Sequence, residues 1–279
     1  MSNRIVIEPG AKAKHYWKDI WNYRGLFYFL AWRDVLVRYK QTAIGLAWSI
    51  IKPLFTILVM WFIGWLFSSQ VPVGVPRILL VSAAALPWQF FSGAFSEISN
   101  SLVTNSNLLT KVYFPRLIVP LSTIIVALID FCISLALLVV IMCFYRFVPD
   151  WKILFLPLFL LLAIIIAIGT GLFIGALNVK YRDFRIIVPF IVQIGLYISP
   201  VAFSSDYIYN SSRIPEALKF VYSLNPMVSV IDGFRWCIIG SNSTIYLPGF
   251  LISIVVSFFF LIIGIWYFRK TEHSFADVI

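Results

Sequence analysis

The sequence predicts an all-α integral membrane protein: six transmembrane helices with an amphipathic interface helix on their amino-terminal side. Three observations lead there. Hydrophobic residues make up 61% of the 279 residues and charged ones only 12%, against about 25% charged in an average soluble domain. A chain of that composition cannot cover its own surface with polar groups. Its apolar residues gather in six runs approaching or exceeding the roughly 20 residues that a bilayer crossing needs, and what remains is too little for a sizeable soluble domain. The net charge of +10 then reads as basic loops held on one side of a membrane, not as a nucleic-acid surface.

The first 46 residues precede the spans. They contain no apolar stretch followed by a small-residue cleavage site, so no signal peptide is expected. Within residues 16–40, Trp17, Ile20, Trp21, Phe27 and Tyr28 fall mainly on one side of a helix, and Lys14, Lys18 and Asn22 on another. Such a helix lies in the headgroup plane, and Gly25 is expected to divide it. The cations Arg33, Arg38 and Lys40 follow just before the first span. They suit either a lipid pyrophosphate or the anionic inner leaflet.

The expected spans run from Ala47 to Phe67, Ile78 to Ser96, Leu117 to Met142, Ile153 to Leu177, Ile186 to Phe203 and Leu247 to Phe268. Pro87 lies inside the second, while Pro189 and Pro200 break the short fifth; prolines are tolerated in spans where neighbours satisfy the freed carbonyls. With the amino terminus inside, the inner segments 1–52, 97–116, 178–185 and 269–279 hold nine, two, three and two of the 22 basic residues. The outer loops hold six: Arg77, Arg146, Lys152, Arg213, Lys219 and Arg235. This asymmetry predicts both ends in the cytoplasm. Ala163, Ala167, Gly171 and Gly175 in the fourth span share one helix face, a pattern that permits close helix approach; it fits a dimer seam or packing within the bundle. The outer stretch 204–246 is interrupted by Asn225-Pro226 and Gly233 and predicts short helices dipping into the outer leaflet.

Catalytic patterns are sparse. No P-loop occurs, so ATP is not bound that way. His15 and His273 sit near opposite ends of the chain, and Cys132, Cys143 and Cys237 form no ligand or redox spacing; no metal site is expected. Asp130 is the one acid inside an expected span. Burying it in lipid costs about 2.5–3.5 kcal/mol, so it faces protein or water, either as a functional carboxylate or as one bonded to a neighbouring Ser, Thr or Tyr. With no intramembrane Lys or Arg in view, it makes a poor proton relay. The aromatics Trp88, Phe90, Phe91 and Tyr197, with Asp130, are candidates for lining a sugar path; interface belts and core packing account equally for single rings.

Five stretches in order carry a family resemblance: "RDVLVRYKQTAIGLAWSIIKP" (33–53), "LPWQFFSGAFSEISNSLVTNSNLLTKVYFPRLIVPLS" (86–122), "ALNVKYRDFR" (176–185), "LNPMVSVIDGFRW" (224–236) and "FRKTEHSFADVI" (268–279). They resemble the membrane subunits of ABC-2 type polysaccharide exporters, nearest the O-antigen permeases, with capsule and teichoic acid permeases as relatives. The resemblance implies the ABC-2 (type V exporter) permease fold over 47–268, a cytoplasmic tail at 269–279, and an inner-membrane homodimer paired with two copies of a cytoplasmic ABC ATPase. ATP and Mg then belong to that partner, and this chain carries no cofactor. The implied cargo is a glycan on undecaprenyl diphosphate. The resemblance further implies a coupling helix at about 105–116, with Asn107–Phe114 helical. Leu108, Leu109, Val112, Tyr113 and Phe114 would fill a cleft in the ATPase, with Lys111 and Arg116 paired to carboxylates on its rim. Lys180, Tyr181, Arg182 and Arg185 form a second candidate contact for the ATPase or a lipid headgroup, and 204–246 an outer gate. Lys52 before Pro53 is the one unexpected residue; its ammonium can snorkel to the headgroups. Other readings are an ABC-2 exporter of a drug or small lipid, a secondary transporter using Asp130, and a membrane glycosyl- or acyltransferase. The last needs grouped acids and bases, whereas Asp206, Glu216 and Asp232 are spread out without a paired base.

Overall fold

The computed structural model describes residues 16–40, 47–66, 74–181, 183–209, 211, 214–240 and 245–275. It contains helices and no strand among them. In chain order these are α1 (Tyr16–Asn22), α2 (Arg24–Lys40), α3 (Ala47–Leu66), α4 (Arg77–Thr104), α5 (Ser106–Lys111), α6 (Ile118–Phe144), a 3-10 turn (Trp151–Phe155), α7 (Leu156–Lys180), α8 (Phe184–Ile198), α9 (Asp206–Tyr209), α10 (Glu216–Ser223), α11 (Pro226–Ile239) and α12 (Leu247–Thr271). A second 3-10 turn, Glu272–Ser274, follows α12.

Among the described residues, five helices are long and apolar enough to cross a membrane: α3, α4, α6, α7 with its leading turn, and α12. The predicted fifth segment is the shorter apolar helix α8. Its 15 residues rise about 22 Å at 1.5 Å each, below the roughly 30 Å of a hydrocarbon core. Pro189 lies inside this helix without ending it, and α8 stops at Ile198, two residues before Pro200. The predicted division of residues 16–40 occurs at Tyr23, not Gly25: Leu26 and Phe27 both bond back to the Tyr23 carbonyl, opening α2 afresh.

At the centre stands α4, buried over most of its length. Against it lies α7, whose small residues decide the spacing. A Cβ on Gly171 would meet Ile98 of α4 at 2.7 Å, and one on Gly175 the Ile98 carbonyl at 3.3 Å; Ala163 and Ala167 on the same face are fully buried. The small-residue face is thus consumed by packing within the bundle, and the dimer-seam reading of it falls. The other side of α7 takes α12. There Gly264 lies so near Gly169 that an added Cβ would overlap the Gly169 carbonyl oxygen.

The stretch around Asn225 folds differently from expectation. Asn225-Pro226 starts a helix: the Asn225 side chain accepts from the Met227 N–H at 3.1 Å, and proline fits the first helical position, where its missing N–H has no partner to lose. Gly233 does not interrupt α11 but packs against the Phe159 ring. α11 is therefore a single helix, buried among α4, α7 and α12, and Gly240 ends it at φ 76°. Asp232 has a paired base after all. Arg235 approaches it at 3.9 Å and donates to the carbonyls of Leu80 (3.3 Å) and Val201 (3.2 Å), pinning α11 to α4 and to the turn after α8.

Much of the remaining surface is apolar. Trp48, Phe55, Trp61, Phe62 and Trp65 of α3 and Ile186, Phe190 and Tyr197 of α8 are exposed, as a lipid-facing bundle requires. The α7–α12 contact yields a test. Gly264→Ala should destabilise the detergent-solubilised chain by about 1–3 kcal/mol through overpacking, whereas Gly93→Ala, with open space at its Cβ, should be neutral or stabilising. Equal thermal midpoints for the two variants would contradict this packing.

Candidate functional sites at the basic end of the bundle

Long-range bonds place five segments at one end of the bundle. Tyr16 of α1 donates to Glu272 after α12 at 2.8 Å. Arg33 of α2 donates to Asn105, between α4 and α5, at 2.7 Å. Near the end of α7, the buried Asn178 amide donates to the Ser99 carbonyl and the Asn100 side chain, both at 3.0 Å. The segments predicted from charge to be inner therefore meet at this end, while the tyrosine cluster of Tyr209, Tyr222 and Tyr246 belongs to the segment predicted to be outer.

The connection between α4 and α6 is built around two buried anchors. Asn105 leaves helical geometry (φ −102°, ψ 26°), so α5 restarts after a single-residue joint. Leu109 and Phe114 are then buried and Leu108 half-buried, whereas Lys111, Val112 and Tyr113 are exposed. The helix covers Ser106–Lys111, not Asn107–Phe114: Val112 is already extended (φ −130°, ψ 134°) because the chain must stretch to seat Phe114. Of the five apolar residues expected to fill a partner's cleft, Val112 and Tyr113 alone stand free to do so. Arg116 differs from expectation as well. It donates to the Glu272 carbonyl and lies 6.0 Å from the Phe275 ring, engaged by the chain's own carboxyl-terminal turn.

The second predicted contact shares this end. Lys180, Tyr181 and Arg185 are exposed, with the Lys180 ammonium 5.2 Å from the Tyr181 ring. Arg182 lies outside the described residues, as do Lys14 and His15.

A cavity of about 880 Å³ with a mixed polar and apolar lining opens among α2, α3, α4 and α6. Asp130 lies in it but is not a lone acid. Arg38 binds it at 2.7 Å and also reaches Glu97 of α4 at 3.0 Å; Tyr39 and Ser49 each donate to Asp130 at 2.8 Å. Burial, then the hydrogen bond to Asp130, pushes the Tyr39 phenol up to about 12, so it remains a donor at neutral pH. The three-cation run before the first span is thereby divided: Arg38 is held here, Arg33 by Asp34 and Asn105, and Lys40 is exposed. Lys52 also lines the cavity. The candidate sugar-path residues do not gather in one place. Phe90 and Asp130 line the cavity, Trp88 packs against Gly195, Phe91 stacks on Phe95 at 5.7 Å, and Tyr197 is exposed.

Sequence reasoning anticipated a Ser or Tyr bonded to Asp130, as Tyr39 and Ser49 are, but missed Arg38 and the pairing of Asp232 with Arg235 and of Glu216 with Lys219. The signal for the first was present: an acid in a span requires compensation, and the nearest cations precede α3. Asp130→Leu should cost about 2–4 kcal/mol, since it removes one ion pair of Arg38 and the acceptor shared by two donors, while Asp130→Asn, which keeps an acceptor for Tyr39 and Ser49, should cost about half that. Thermal unfolding in detergent separates them; equal small losses would show that the network carries no weight.

With this geometry in view, similarity to known proteins becomes informative. The chain is 26% identical over 252 residues to the O-antigen export system permease protein RfbA of Klebsiella pneumoniae, covering 88% of this chain and 92% of that protein. A Myxococcus xanthus protein of the same name is 27% identical over 218 residues, covering 78% and 82%. Residues 25–239 match the family described as ABC-2 type transporter, a match that begins in α2 and ends with α11. This chain is a multi-pass membrane permease and belongs to the ABC-2 type transporter family.

Proposed function

We propose that the chain is the membrane subunit of an ATP-driven exporter that moves an undecaprenyl-diphosphate-linked O-antigen, or a related surface polysaccharide, from cytoplasm to periplasm. The observation that carries this reading is similarity to O-antigen export permeases over almost the whole chain, not over one motif. In this reading the protein works as a homodimer in the inner membrane with two copies of a cytoplasmic ABC ATPase, which holds ATP and Mg. Both termini and the basic end face the cytoplasm, against anionic lipid. No bond in the glycan is made or broken by this chain, so it contributes positioning and motion.

The exposed Lys111–Tyr113 segment is the proposed docking point, with Lys180, Tyr181 and Arg185 beside it. Thrust on that segment passes across the single-residue joint at Asn105 into α4. It reaches Glu97 and Phe90 at the cavity, where Arg38 links α4 to α2 and α6. A transferase reading loses support because the two acid–base pairs described in the segment 204–246 are not grouped into one site: Glu216 pairs with Lys219 one helical turn on, and Asp232 with Arg235 is buried and spent on pinning α11.

The test uses the tagged chain drawn from its own membranes in mild detergent. ATP-hydrolysing activity should accompany the native chain and fall about tenfold, equivalent to roughly 1.4 kcal/mol, with Lys111→Glu/Tyr113→Asp, substitutions confined to exposed side chains. Undiminished activity with that variant would remove the docking assignment. If none accompanies the native chain even after crosslinking in intact membranes, the exporter reading fails.

A further inference from the structure

The carboxyl-terminal turn makes contacts that neither spanning nor docking explains. Glu272 and Phe275 are buried, although the turn lies beyond the last span. Phe275 meets Phe268 edge-on at 5.4 Å. Tyr16 is the buried side chain of α1, whereas Trp17 and Trp21 are exposed. Its phenol donates to the Glu272 carboxylate at 2.8 Å, and the phenol oxygen itself accepts from the backbone N–H of Leu117. The Arg269 guanidinium stacks 4.3 Å from the Tyr16 ring. Arg116, one residue before Leu117, donates to the Glu272 carbonyl and lies over Phe275. Burial, then the neighbouring Glu272 carboxylate, raises the Tyr16 phenol above its ordinary range, which keeps it protonated and donating.

Segments 256 and 156 residues apart in sequence therefore converge on the point where the α4–α6 connection re-enters the bundle. We propose that Tyr16, Arg116 and Glu272 form a clasp that fixes the return of the Lys111–Tyr113 segment into α6, so that force applied there moves helices and is not lost in a slack loop. They are positioning residues, and they tie the aromatic surface helix α1 to the same point. The coupling role rests on the exporter reading; the mechanical role does not.

Two measurements separate these. A spin label on Tyr113→Cys, in the full-length chain in lipid with exposed Cys132 and Cys143 changed to Ser, reports mobility without any partner. Tyr16→Phe removes a single hydroxyl and preserves the ring, and Glu272→Leu removes the carboxylate; each should raise label mobility at least about twofold, as expected of a loosened local segment. Glu272→Gln, which keeps an acceptor for Tyr16, should stay near the native value. In chains with native Tyr113, the first two variants should retain the co-purifying ATPase within about twofold. Their glycan exported per ATP should drop about fivefold or more, a coupling loss of roughly 1 kcal/mol. Unchanged label mobility in both Tyr16→Phe and Glu272→Leu would overturn the clasp. Raised mobility with undiminished export per ATP would overturn its coupling role. Raised mobility in a chain that recruits no ATPase would leave the clasp standing and overturn the exporter reading.

Discussion

The close crossing of α4 and α7 is the constraint on which the other features depend. In lipid, apolar side chains gain little by leaving one greasy surface for another, so helices associate through tight packing and a few polar bonds. Gly171 and Gly175 let α7 approach the backbone of α4 near Ile98, and Asn178 then bonds across the contact. Held along one side in this way, α4 becomes a stiff element reaching from its first turn, where Arg235 grips the Leu80 carbonyl, to the joint at Asn105. Its 28 residues span about 42 Å, more than a hydrocarbon core. The exposed Lys111–Tyr113 segment is thus attached to an element long enough to cross the membrane.

The charged groups follow the same logic. An unpaired ion in a low-dielectric bundle is expensive, and each ion deep in this structure is tied to a different helix or turn. Arg38 gathers Asp130 of α6 and Glu97 of α4 to α2, and Arg235 gathers α4 and the turn after α8 to α11. Geometry chosen for polar satisfaction therefore also fixes which elements move together. The cavity beside Arg38 sits where three of those elements join.

The class of the fold was legible because composition and hydropathy act over whole segments, and lipid enforces them. Segment ends were less so. Pro189 and Gly233 look like breaks in a linear reading, yet the first is accommodated inside α8 and the second is a notch that receives Phe159. Sequence does not say what a glycine faces. For the candidate site residues the structure speaks to exposure alone: Lys111, Val112, Tyr113, Lys180, Tyr181 and Arg185 are exposed. Leu109 and Phe114 are buried, and Arg116 is taken by a partner more than 150 residues distant. Such pairings leave no local period. Asp130 is the intermediate case, where the energetic demand for a partner was plain but the identity of Arg38 required the path of α2.

The most direct test of the account is transport itself. The chain and its ATPase, reconstituted in vesicles containing polyprenyl-diphosphate-linked glycan, should move the glycan across the bilayer only when ATP, Mg and the ATPase are all present. Movement should persist after the proton gradient is collapsed. Glycan translocation by the permease without ATP, or its loss on collapsing the gradient while ATP remains, would contradict the account.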